Sequence, residues 1–112
     1  MNKLKLIAAA QMAFTCALPV AHAAEYPDRP IRITVPFTPG GSTDILARMI
    51  GQKLTEAWGQ QVVVDNRGGA STMIGTQAAV KARADGYTIL LSGSIVAANH
   101  TLHQTPYDGL KD

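Results

Sequence analysis

The run Pro39-Gly40-Gly41-Ser42-Thr43 combines residue types suited to holding an anion. Gly40 and Gly41 carry no Cβ, so the backbone there can approach a ligand closely. Ser42 and Thr43 add hydroxyl donors and are good helix N-caps, with Asp44 next in the first turn. A helix N-terminus leaves up to four backbone N–H groups without partners and carries roughly +0.5 of an elementary charge. A carboxylate or a phosphate is stabilised at such a place. No lysine follows the glycines as it would in a P-loop. That favours a small carboxylate. Taken alone, the same residues also describe a tight turn that closes on a helix cap.

Two further loops share this chemistry. Residues 66–72 and 92–99 are rich in Gly, Ser, Thr or Asn, as are residues 37–43. Each follows a predicted strand. Ile31, Ile33, Val35 and Phe37 alternate with other residues, the strand period of two. Val62-Val63-Val64 is an unbroken β-branched run, which suits a strand covered on both faces. Tyr87-Thr88-Ile89-Leu90-Leu91 forms the third strand. Between them lie two predicted helices. The first starts at Ser42 or Thr43, carries Ile45, Leu46, Met49, Ile50, Leu54 and Ala57 as one apolar stripe, and ends at Gly59. The second runs from about Thr72 to Arg83, with Met73, Ile74, Ala78 and Ala79 inward.

The order strand, helix, strand, helix, strand implies an α/β fold with right-handed crossovers and a parallel sheet. In such a sheet the loops that follow strands share one edge, and ligands bind in the crevice outside it. All three polar loops therefore fall on one predicted edge.

Composition narrows the class. The start is basic, through Lys3 and Lys5; residues 6–20 are mostly apolar, and Ala21-His22-Ala23 supplies small residues for cleavage. This order is that of a secretory signal over residues 1–23, leaving residues 24–112 as the folded part. Its apolar run is too short and interrupted to span a bilayer of about 30 Å. Lys3 and Lys5 account for the whole net charge of +2, so the remainder is formally neutral. No basic run survives, which argues against nucleic-acid binding. The single cysteine, Cys16, lies in the signal, so the mature part has no disulfide and no thiol nucleophile.

An enzyme reading finds little to work with. Ser42, Ser71, Ser92 and Ser94 would each need a base within reach. His100 and His103 are the imidazoles of the mature part, and neither follows a nucleophile motif. Their spacing of three would suit one helical face, but no third metal ligand is evident. No catalytic residue, metal site or cofactor is assigned. Asp65 and Asp85 read as turn residues.

The stretches Tyr26-Pro27-Asp28-Arg29-Pro30-Ile31, Val35-Pro36-Phe37-Thr38-Pro39-Gly40-Gly41-Ser42-Thr43-Asp44 and Val63-Val64-Asp65-Asn66-Arg67 closely resemble the Bug-type solute-binding receptors of tripartite tricarboxylate transporters. So do Gly75, Asp85-Gly86-Tyr87-Thr88 and Tyr107-Asp108-Gly109-Leu110-Lys111-Asp112. The resemblance implies a type II-like periplasmic binding protein of two lobes closing over a small organic carboxylate. It would be a monomer when complete, and its partners would be membrane transporter subunits. The chain would supply the βαβαβ portion of lobe 1, with the second lobe absent. A truncated remnant without activity of its own fits the same resemblance. Ligand contact carries over to Thr38, Gly40, Gly41, Ser42, Thr43 and Asp44, to Ala70, Ser71 and Thr72, and to Ser92, Ser94 and Asn99. Asp44 would reach a carboxylate only through a water or a donor; otherwise it supports the helix start. Thr38 stands where the family usually has Pro, and Gly68 and Ser71 replace residues more often Pro and Gly. These departures bear on loop stiffness and ligand choice.

Overall fold

The computed structural model describes residues 25–109 and 111. The expected signal segment, with Cys16, lies outside them. Three strands, β1 (Ile31–Val35), β2 (Val62–Asn66) and β3 (Thr88–Leu90), form one parallel sheet in the order β2-β1-β3. Three helices accompany them: α1 (Ser42–Trp58), α2 (Met73–Val80) and α3 (Ile95–Leu102). A 3-10 turn, Ala70–Thr72, precedes α2. The parallel α/β order expected from the sequence is the order found.

The strand order dictates where the helices go. The step from β1 to β2 moves one way across the sheet, and the step from β2 to β3 returns past β1. Right-handed crossovers then place α1 and α2 on opposite faces. β1 is central and covered on both sides. Ile31, Ile33 and Val35 are buried on one face and Thr34 on the other. Ile33 and Val35 form the core with Ala47 of α1, and Phe37, Val62, Val64 and Leu91 pack against it. At the amino ends of the strands, Tyr26 donates its hydroxyl to the Gly86 carbonyl at 2.7 Å and Arg29 pairs with Asp85 at 2.8 Å. These contacts tie the segment before β1 to the turn before β3, far from the edge where the three loops emerge.

The strands alternate as expected, but two faces differ. Val63 is exposed although its run suggested burial on both sides. β2 is an edge strand, and α2 departs to cross towards β3, so one face of β2 stays open. Within α1, the apolar stripe Ile45, Leu46, Met49 and Ile50 points away from the sheet, with Met49 62% exposed. Asp44, Ala47 and Gly51 are buried instead. Small side chains let helix and sheet approach closely. The same holds for α2, where Gly75 and Thr76 are buried while Ile74 is exposed.

This inversion is testable. Ala47→Leu should destabilise the fold by about 1–3 kcal/mol, the usual cost of overpacking a filled site. Met49→Gln should change stability by less than about 0.5 kcal/mol, as surface substitutions do. Urea denaturation of both variants would reverse this reading if Met49→Gln proved the costlier. The end of α1 follows its sequence signal: Gly59 adopts φ +67° and its N–H donates to the Thr55 carbonyl at 3.0 Å.

Candidate functional site

The loops after the three strands converge on the carboxyl edge of the sheet. Backbone pairing continues past the strands through Arg67 N–H to the Val35 carbonyl (2.8 Å) and Leu91 N–H to the Thr34 carbonyl (3.0 Å). The loops after β1 and β2 then touch backbone to backbone. A Cβ on Gly68 would lie 3.2 Å from the Thr38 nitrogen. Between these loops and the start of α3 is a cleft of about 360 Å³, lined by Pro36, Phe37, Thr38, Gly68, Gly69, Ser71, Thr72 and Ile95. None of these side chains is charged. This is the switch point of the sheet, because the connections leaving neighbouring strands β1 and β3 lead to opposite faces.

The start of α1 is built differently from its expectation. Gly41 is the N-cap, and no side chain caps the helix there. Ser42 and Thr43 therefore sit inside the first turn. Asp44, in the same turn, instead binds back to the chain before the helix. Its Oδ2 accepts from Gly40 N–H at 2.9 Å and from Arg48 Nε at 3.1 Å, while its Oδ1 accepts from Asn66 Nδ2 at 3.0 Å. Asn66 Nδ2 also lies 3.4 Å from the Phe37 carbonyl. A buried carboxylate thus ties the glycine turn to the end of β2. The Gly40 amide, then Arg48 and Asn66, lower the pKa of Asp44 to about 2, so it is ionised at any physiological pH. The anion preferred by this helix end is in part supplied by the chain itself.

The second loop carries strain. Ala70, Ser71 and Thr72 have φ of +47°, +52° and +75°, three consecutive non-glycine residues in the left-handed region. That region costs L-residues roughly 1–2 kcal/mol each and persists only where surroundings enforce it. The run delivers Ser71 and Thr72 into the cleft and turns the chain into α2. Thr76 Oγ1 donates to the Thr72 carbonyl at 2.9 Å.

The residues singled out from sequence divide accordingly. Thr38, Ser71 and Thr72 line the cleft together. Gly40, Gly41, Ser42, Thr43 and Asp44 stand beside it at the α1 start, outside its lining. Ala70, Ser92, Ser94 and Asn99 also do not line it. Ser92 Oγ is buried and lacks a hydrogen-bond partner among the described residues, and Ser94 precedes α3. Asn99 is buried behind the second loop. Pro36, Phe37 and Ile95 line the cleft without having been singled out. Their signal was positional: each lies just past the carboxyl end of a strand, where apolar residues read as core.

A second hollow of about 320 Å³ lies against β3, lined by Thr88, Leu90, Val96 and Tyr107 among others. Residues 37–43 and 66–72 contribute nothing to it, and of residues 92–99 only Val96 does. Among the described residues no three His, Cys, Asp or Glu side chains cluster as metal ligands, and no helix is long and apolar enough to cross a membrane.

A three-stranded parallel sheet with a cleft at its carboxyl edge is the architecture of a lobe of periplasmic binding proteins. The chain aligns with "Structure of a periplasmic transporter" at 46% identity and a TM-score of 0.73, over 78% of this chain and 30% of that one. It aligns with R. palustris Rpa4515, solved with adipate, at 40% identity and a TM-score of 0.75, over 79% and 30%. Protein BugT of Bordetella pertussis is 48% identical over 99 residues, which are 86% of this chain and 30% of BugT. Residues 46–112 match the tripartite tricarboxylate transporter family receptor model, and the chain belongs to that family. It spans about 30% of the length of these relatives.

Proposed function

We propose that this chain contributes one wall of a solute cleft that captures a small organic carboxylate in the periplasm for membrane transporter subunits. Residues 1–23 would direct secretion and be removed, and residues 24–112 would form part of the N-terminal lobe. The observation that carries the reading is the cleft lining. Thr38, Ser71 and Thr72 bring hydroxyls and backbone groups, Phe37, Ile95 and Pro36 bring apolar surface, and no charged side chain is present. Such a lining suits a ligand with a carboxylate at one end and methylene groups behind it. Adipate, bound in the Rpa4515 structure, has that form.

Thr38, Ser71 and Thr72 are assigned direct contact. Gly40, Gly41, Ser42 and Thr43 are assigned the approach to the α1 N-terminus, with Asp44 holding that turn. Ala70, Ser92 and Ser94 are assigned to shaping the loops. The facing wall is assigned to a second lobe, and the protein binds its solute without converting it.

Calorimetric titration of the full chain with adipate, succinate, citrate and glutamate tests this. Saturable binding of at least one is expected, and Thr72→Val should weaken it about 3–10-fold, the worth of one hydroxyl hydrogen bond. A folded chain that binds none of them would defeat the proposal.

A further inference from the structure

Asn99 lies 27 residues beyond Thr72, on α3, and is 1% exposed. A carboxamide buried this deeply must find hydrogen-bond partners. It finds them in the left-handed turn. Asn99 Nδ2 donates to the Ser71 carbonyl and, at 3.2 Å, to Thr72 Oγ1. Both contacts fall on the residues with the least favourable backbone, and both of those residues line the cleft.

The direction of the second bond has a chemical consequence. An amide N–H can only donate. Thr72 Oγ1 therefore accepts from Asn99, and its own proton is left to donate elsewhere. We propose that Asn99 is a positioning residue of the solute cleft, latching the Ala70–Thr72 turn to α3 and committing the Thr72 hydroxyl to donate to an acceptor such as a ligand carboxylate. The latch stands on the geometry of the turn; its consequence for binding rests on the receptor reading above. An Asn at this site favours an anionic oxygen in the cleft over a ligand group that must itself donate.

Asn99→Asp separates this role from mere packing, because it preserves size and removes the donor. At pH 7 the amides of Ser71, Thr72 and Met73 should exchange with solvent at least ~10-fold faster in the full chain, while β1 stays protected. Acidification should restore protection as the introduced carboxyl gains a proton and with it a donor. A purely volumetric role would show no such pH profile. Adipate affinity should fall by at least ~10-fold, the loss of a charge-assisted bond and of loop order together. The pair Asn99→Ala with Ala70→Gly gives a second reading if either single variant at 99 fails to fold. Glycine holds a left-handed backbone without help, so the pair should protect the loop, or fold, better than Asn99→Ala alone. Parent-like exchange in Asn99→Asp, or no gain from Ala70→Gly, would overturn the latch. If the loop loosens as stated but the parent chain binds no adipate, the receptor reading fails and the latch stands.

Discussion

Gly75→Ala should lower the stability of the fold by about 2–4 kcal/mol, at or above the upper end of the ordinary range for overpacking. A Cβ at this position would lie 2.5 Å from the Arg67 carbonyl oxygen, 2.7 Å from Pro36 Cα and 2.7 Å from Pro36 Cβ. These neighbours are backbone atoms and a proline, so no side chain can swing aside. Either α2 lifts from β1 or the loop after β2 shifts, and both moves open the cleft. Alanine would recover about 1 kcal/mol of helix propensity, which is too little to offset the clash. Gly51→Ala provides the contrast. Its Cβ would meet Val62 Cγ1 at 3.3 Å, a side-chain methyl able to give by a few tenths of an ångström. With the same gain in propensity, Gly51→Ala should stay within about 1 kcal/mol of the parent. Urea denaturation with linear extrapolation measures both. A Gly75→Ala protein as stable as Gly51→Ala would show that α2 does not sit where the structure places it.

The second large effect is expected at Asp44. Its carboxylate accepts three hydrogen bonds, from Gly40, Arg48 and Asn66, and its residue is 3% exposed. Asn would turn a donor towards one of these donors and leave it unpaired in a buried place. The melting temperature of Asp44→Asn should fall on the order of 10 °C in a domain of this size. The effect has a pH signature. The Gly40 amide, Arg48 and Asn66 hold the Asp44 carboxyl down to about 2 in the folded state, below its ordinary 3.8, so its ionised form favours the folded state. That contribution is fully present above about pH 4 and is lost as pH falls towards 2. Parent and Asp44→Asn should therefore differ most near neutrality and converge below about pH 2. Melting curves taken across pH 2–7 check this. A gap that does not narrow in acid would mean that the carboxylate's charge is not what holds the turn.

Both positions join the fold to the candidate site. Gly75 lets α2 pass close enough for Ser71 and Thr72 to reach the space beside Thr38. Asp44 ties the Gly40 turn to Asn66 at the mouth of the second loop. Damage at either should be visible first in the loops at the carboxyl edge.

Much of this was legible in the residues. Alternation of Ile31, Ile33 and Val35 marked the central strand, and those three side chains are buried on one face, with Thr34 buried on the other. Gly59 marked the end of α1 because a left-handed cap needs no Cβ. The repeated order of strand and helix marked a parallel sheet, and so brought the three polar loops to one edge. The apolar stripe of α1 misled for a physical reason. Periodicity reports where large apolar side chains lie, not which face approaches a neighbour. Here the sheet is met by Asp44, Ala47 and Gly51, and the larger residues face outward.

By itself, then, the sequence determined the three strands, α1 and α2, their parallel arrangement and the family, since these follow from local period, turn chemistry and continuous motifs, whereas α3 carried no such period. Tertiary structure alone decided three things: that β2 lies at an edge with Val63 exposed, that Phe37 and Ile95 line the cleft, and that Asn99 supports the second loop from 27 residues away. Each depends on strand order and helix placement, which bring together residues whose local patterns carry no trace of one another. The glycine turn at residues 39–43 was found from sequence; the carboxylate of Asp44 that holds it became evident only once the helix was folded back upon Gly40 and Asn66.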